Sequence, residues 1–167
     1  MKNMFNIDYA ALFQNIPPQL ATFLIALIPI AELRVAIPVA LGVYKLPIWQ
    51  AIFFASIADI IVAALIIYFL GPIHKFLSGK FKWVDGFFDW LFKRTRRKFS
   101  GKYETWGNIG LMIFVGIPLP MTGAWTGSIA AWLFGLPKKR SLSYISLGVI
   151  ISAGIVTLIS LGMIKIF

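Results

Sequence analysis

Residues 107–136 read GNIGLMIFVGIPLPMTGAWTGSIAAWLFGL, thirty positions without a charged side chain and with Pro118 and Pro120 near the centre. One continuous helix of that length would run about 45 Å, against a hydrocarbon core of roughly 30 Å. Two complete spans would need about 40 residues. Two half-length helices meeting at a break near mid-membrane fit the length, because proline lacks a backbone N–H and disfavours helix at the residue before it. The segment is expected to be a re-entrant hairpin broken at Pro118 and Pro120.

The flanks support that reading. On the carboxyl side lie Lys138, Lys139 and Arg140, followed by an apolar block, 141–164, long enough for one crossing. On the amino side, residues 71–104 hold nine of the 16 lysines and arginines. Basic residues beside membrane segments mark the cytoplasmic side. If 107–136 crossed the membrane once, these two basic groups would lie on opposite sides. If it enters and leaves from one face, both are cytoplasmic.

The first half of the chain has the same order of parts. Residues 20–46 form an apolar block interrupted around Pro29 and Pro38, and residues 47–70 form a span. Ile28-Pro29 answers Ile117-Pro118 at a separation of 89, and Leu46-Pro47 answers Leu136-Pro137 at 90. The fold expected is an all-α integral membrane protein. It is an inverted repeat of two units, each a re-entrant helical hairpin plus a transmembrane helix, in one membrane domain, 1–167. Residues 71–104 are expected to join the halves as a cytoplasmic basic amphipathic linker on the membrane surface, and 1–19 to form an outer amphipathic segment. Inverted repeats with helices broken at the midplane characterise secondary transporters.

Composition bounds the rest. The chain is 59% hydrophobic and 13% charged, whereas soluble domains carry about 25% charged residues. The net charge of +10 is concentrated beside the apolar blocks, which suits anionic lipid headgroups rather than nucleic acid. With no cysteine, thiol chemistry and disulfides are excluded. No metal-ligand spacing, nucleotide loop or catalytic constellation is visible, so neither an enzyme nor a cofactor is expected. Residues 1–19 lack the compact apolar core of a cleavable signal. A multi-pass protein of the plasma (inner) membrane is expected, with lipids as partners and homo-oligomers open.

Three ionisable residues fall at mid-depth: Glu32, Arg34 and Asp59. Each costs roughly 2.5–3.5 kcal/mol at a helix centre, so they must pair, meet water or meet a polar substrate. Between Pro29 and Pro38 a non-helical tip would let Glu32 and Arg34 face one cavity, with Asp59 opposite on the next helix. This cluster is expected to bind substrate and carry the proton, the plainer alternative being a buried cluster that fixes packing. The second hairpin contributes Thr122, Trp125, Thr126 and Ser128, with Thr122 as the expected cap of the returning half-helix. The amino ends of both returning half-helices, with Arg34, lean toward an anion. The carboxyl ends of the entering halves keep a cation open. His74, the single histidine, follows Gly71-Pro72 and is expected to be a solvated linker residue.

The stretches Ala31-Glu32-Leu33-Arg34-Val35-Ala36-Ile37-Pro38 and Gly116-Ile117-Pro118-Leu119-Pro120-Met121-Thr122-Gly123-Ala124-Trp125-Thr126-Gly127 resemble the small multidrug export protein family, which looks like a compact relative of the DedA membrane proteins. The resemblance implies two re-entrant hairpins and a transport role, with a small-molecule or polyprenyl-phosphate substrate. It carries over to Glu32, Arg34, Pro38, Pro118, Pro120, Thr122, Gly123, Trp125 and Gly127. The arginine of the DedA-type second hairpin has no counterpart in 107–136. The leading expectation is a proton-coupled secondary transporter working by alternating access across a midplane cavity between the hairpins. The alternative is a membrane organiser or lipid-binding homeostasis protein that transports nothing.

Overall fold

The computed structural model describes residues 15–77, 103–119 and 122–166, together with Phe13 and Gly86. Among them are six helices and no strand: α1 (Pro18–Leu27), α2 (Glu32–Gly42), α3 (Ile48–Leu77), α4 (Tyr103–Gly116), α5 (Ala124–Leu133) and α6 (Lys138–Ile166). Pro120, most of 1–19 and most of the linker expected over 71–104 lie outside the described residues.

Helix α1 opens with Pro18 in its first turn, where an N–H would find no partner in any case. It ends at Ile28, whose ψ of 126° is the extended conformation required before Pro29. The chain then turns, the amides of Ala31 and Glu32 both donating to the Ile28 carbonyl at 3.1 and 2.9 Å. Helix α2 follows and packs against α1. At 10 and 11 residues, the two helices are about 15 and 16 Å long, so neither crosses a bilayer core alone. Pro29 therefore marks a break as expected, but Pro38 does not: it sits inside α2. Ile37 before it is fully buried and Pro38 removes only the N–H that would bond the Arg34 carbonyl, a loss that packed neighbours accommodate in membrane helices.

The second half repeats these parts. Helices α4 and α5, 14 and 10 residues long, flank a break whose described residues are 117–119 and 122–123, Pro118 among them, and they pack on each other. Helix α5 ends in a Schellman motif. Gly135, with φ 63°, donates to the Trp132 carbonyl and Leu136 to that of Ala131, both at 3.0 Å. Pro47 and Pro137 then start the long helices, their carbonyls accepting from Ala51 at 3.1 Å and Ser141 at 2.9 Å.

Helices α3 and α6, with 30 and 29 residues, are long and apolar enough to cross a membrane. Both outrun their sequence bounds of 47–70 and 141–164. Helix α3 continues through Gly71-Pro72, because Pro72 falls in its last two turns and Gly71 lies where a methyl would sit 3.1 Å from the Trp132 indole nitrogen. Both helices present apolar side chains outward, including Phe53, Ile61, Leu65 and Phe69 on α3 and Leu147, Ile150, Leu158 and Ile159 on α6. Away from their ends they carry Ser56, Asp59, Ser152, Thr157 and Ser160, all buried. A helix with an apolar exterior and a polar interior suits lipid, not water.

The chain divides into two compact units, residues 1–59 with 153–167, and residues 60–152. The first is lined by small residues: Ala21 and Ala26 on α1, Ala36 and Ala40 on α2, and Ala51, Ala55 and Ala58 on α3, all fully buried. Small side chains let membrane helices approach closely. The second unit uses Gly148 of α6 likewise, since a methyl there would lie 2.7 Å from the Met112 carbonyl oxygen and 2.9 Å from Val115 Cβ. Gly148→Ala is expected to destabilise by about 1–3 kcal/mol. Gly154→Ala, with open space around it, should be neutral or better. Thermal unfolding of the two variants in detergent checks the difference.

Candidate functional site

In the first unit the structure brings Glu32, Arg34 and Asp59 together. Residues two apart on a regular helix do not face each other. Glu32 escapes that rule because it opens α2 with φ 46°, in the left-handed region where a side chain costs roughly 1–2 kcal/mol. Its Oε2 lies 3.7 Å from Arg34 Nη2, and the two side chains are 6% and 19% exposed. Asp59, on α3, is 1% exposed. Neither of its oxygens makes a hydrogen bond of normal geometry among the described residues. The Leu33 amide, Glu32 and Arg34 nevertheless lie close enough to act on it electrostatically. The positive amino end of α2 is thus already faced by the protein's own carboxylates, not held open for an anion.

One turn before Asp59 on the same face of α3 is Ser56, also buried and with its hydroxyl unpartnered among the described residues. Sequence reasoning missed it, although a serine three positions from an intramembrane aspartate was a usable signal. It also passed over Thr22, Thr157 and Ser160, the remaining buried hydroxyls of this unit. Each donates to a carbonyl of its own helix, to Pro18 at 2.8 Å, Ala153 at 2.7 Å and Val156 at 2.7 Å.

The second unit holds Thr122, Trp125, Thr126 and Ser128. Thr122 does not cap α5, because the residue in the cap position is Gly123. The Thr122 hydroxyl instead ties the break together. It accepts from the Leu119 amide at 3.1 Å and has the carbonyls of Ile117 and Leu119 within donating reach at 2.8 and 2.7 Å. Thr126 accepts from the Gly123 amide at 3.1 Å, which is half of a capping box. Ser128 is fully buried and donates to Ala124 at 2.6 Å. Trp125 is half-buried. These hydroxyls fix the shape of the break. His74 is not a linker residue. It is half-buried near the end of α3, edge-on to Trp132 with ring centres 5.4 Å apart.

Residues 32–155 match the family described as "Putative small multi-drug export protein". The chain belongs to this family. No match was found among curated proteins or among solved structures. The stretch shared with the small multidrug export family begins at Glu32 and takes in Arg34, Ser56, Asp59, Thr122, Trp125, Thr126 and Ser128. Thr157 and Ser160 fall beyond it. The family description and the two long apolar helices agree on a membrane protein with an export role at the coarse level.

Proposed function

We propose that this family member is a secondary transporter of the plasma membrane, coupled to protons and working by alternating access. Each pair of short helices dips into the bilayer and returns, and the two units form an inverted repeat, as in the DedA-type relatives. The basic loops face the cytoplasm. The cargo is amphipathic, a drug-like molecule or an anionic lipid such as a polyprenyl phosphate. Glu32, Arg34 and Asp59 carry the proton and meet the polar part of the cargo, while Thr122, Trp125, Thr126 and Ser128 maintain the second hairpin tip.

The observation that carries this reading is Asp59, a carboxylate 1% exposed in a helix that crosses the membrane, with no hydrogen bond of normal geometry. Intramembrane ionisable groups cost stability and persist where they serve ion or substrate movement. The α1–α2 and α4–α5 pairs support re-entry, because no member is long enough to span. Each unit also holds one such pair and part of both long helices.

The test is movement of a labelled amphipathic cation or labelled polyprenyl phosphate in liposomes holding the purified protein, with an imposed pH gradient. Movement that follows the gradient is expected; a protein that moves neither probe, whatever the gradient, is a membrane organiser instead. Topology has its own check. Lys139→Cys, in a chain without native cysteine, should react with a membrane-impermeant maleimide only from the cytoplasmic side. External labelling would overturn the re-entrant second hairpin.

A further inference from the structure

We propose that the first unit contains a monovalent-cation site in which the Asp59 carboxylate and the Ser56 hydroxyl bind Na⁺ when Asp59 has given up its proton. The proposal rests on the reading of this pocket as the coupling site and names a second ion for it.

Three observations point to a small cation. The first is charge. Glu32 and Asp59 bring two negative charges, and Arg34, 3.7 Å from Glu32, brings one positive charge. With Asp59 ionised, the cluster is left one charge negative. No other charged residue occurs over 18–31, 35–44, 46–58 or 153–164; Lys45 lies between α2 and α3, and Lys165 in the last turn of α6. One proton or one monovalent cation restores neutrality. A divalent ion would overshoot, and the described residues contain no cluster of three or more acidic or histidine side chains to hold one.

The second is the pair of unpartnered groups. Asp59 and Ser56 are 1% and 7% exposed, lie on one face of α3, and have oxygens without a hydrogen-bond partner among the described residues. A buried polar oxygen left without a partner destabilises the fold. Two of them side by side invite a shared ligand.

The third is what the neighbouring hydroxyls offer. Thr22, Thr157 and Ser160 have each committed their single hydrogen to a backbone carbonyl of their own helix. Each keeps acceptor lone pairs and has no donor left to give. Arg34 apart, the buried polar side chains of this unit form an acceptor-rich set. It would repel an anion or a bare carboxylate and suit a hard cation, which takes oxygen ligands. Transporters bind Na⁺ with such oxygen sets near unwound helix segments. Here the turn over 28–31 and the left-handed Glu32 supply that local geometry.

The titratable and charged groups acting on Asp59 are Glu32 and Arg34, both from α2. Na⁺ and H⁺ therefore compete for one carboxylate, and Na⁺ binding must weaken as the pH falls. The test uses the purified full chain in detergent, in NaCl, KCl or choline chloride at equal ionic strength. At pH 8.5 a saturable rise in Tm with NaCl, several degrees larger than with choline, is expected, together with saturable binding of ²²Na⁺. Both should shrink at pH 6. Asp59→Asn should remove both, and Ser56→Ala should raise the Na⁺ concentration needed for half the effect by about an order of magnitude, the loss of one ligand. Equal shifts with choline, or Na⁺ binding that survives Asp59→Asn, would overturn the site. Were Asp59→Asn to fail to fold, Ser56→Ala and the pH dependence of ²²Na⁺ binding would still decide. Transport that follows a pH gradient in a protein that binds no Na⁺ would refute this inference alone. Na⁺ binding without gradient-driven transport would support it and refute proton coupling.

Discussion

Replacing Asp59 by asparagine is expected to abolish gradient-driven transport, down to the leak of empty liposomes, while leaving the protein folded and no less stable. Asparagine has nearly the shape of the protonated acid but can neither release nor accept the proton. The fold should tolerate it because the wild-type carboxylate has no hydrogen bond of normal geometry to lose. Removing an ionisable group from the centre of a membrane helix relieves a cost of about 2.5–3.5 kcal/mol, so the Tm should hold or rise. Glu32→Gln should lose coupling too, but with Arg34 deprived of its nearest carboxylate its stability should fall. Assaying transport and unfolding on the same preparations separates the roles. If Asp59→Asn transports normally, the cluster serves packing and the proton assignment fails.

Arg34→Gln should have the second large effect, on stability as well as on cargo. It leaves Glu32 and Asp59 buried with no cation in the cluster. Breaking a buried ion pair by removing one partner costs about 3–5 kcal/mol, and the lower end applies here because the pair is 3.7 Å apart and Arg34 is partly exposed. The double variant Glu32→Gln/Arg34→Gln should recover most of that loss, because it removes the uncompensated charge. If Arg34 also meets an anionic headgroup, the double variant will be stable yet unable to move a polyprenyl phosphate. Unchanged movement of that lipid would rule out Arg34 as the group that meets the headgroup.

The breaks and the joints were legible from proline positions. Ile28 takes the extended backbone that a following proline demands, and Pro47 and Pro137 begin the long helices. Pro38 misled because the rule that proline ends a helix is local, and the fully buried Ile37 beside it is held by packing that one sequence does not display. Gly71-Pro72 misled for a related reason: Pro72 removes only the amide that would bond the Tyr68 carbonyl, and the glycine is there for Trp132. Of the site, the charged members were visible as anomalies in apolar blocks. Ser56 was passed over because serine is common in membrane helices; its spacing from Asp59 was the signal, and its unpartnered hydroxyl gives that spacing meaning. Thr122 was placed correctly at the break but one position too early to be the cap of the returning helix.

Glu32 sits in a backbone conformation that glycine or asparagine would adopt with less strain. A stability-driven redesign would therefore change it first, and in an Arg34→Gln background, where no cation is left without its carboxylate, Glu32→Gly would ease both the turn and the burial of a charge. Such a variant would outlast the natural protein on heating and be inert. The ranking of substitutions at this one position, with stability running opposite to activity, would mark the tip of the first hairpin as a place where selection has kept function at the expense of robustness.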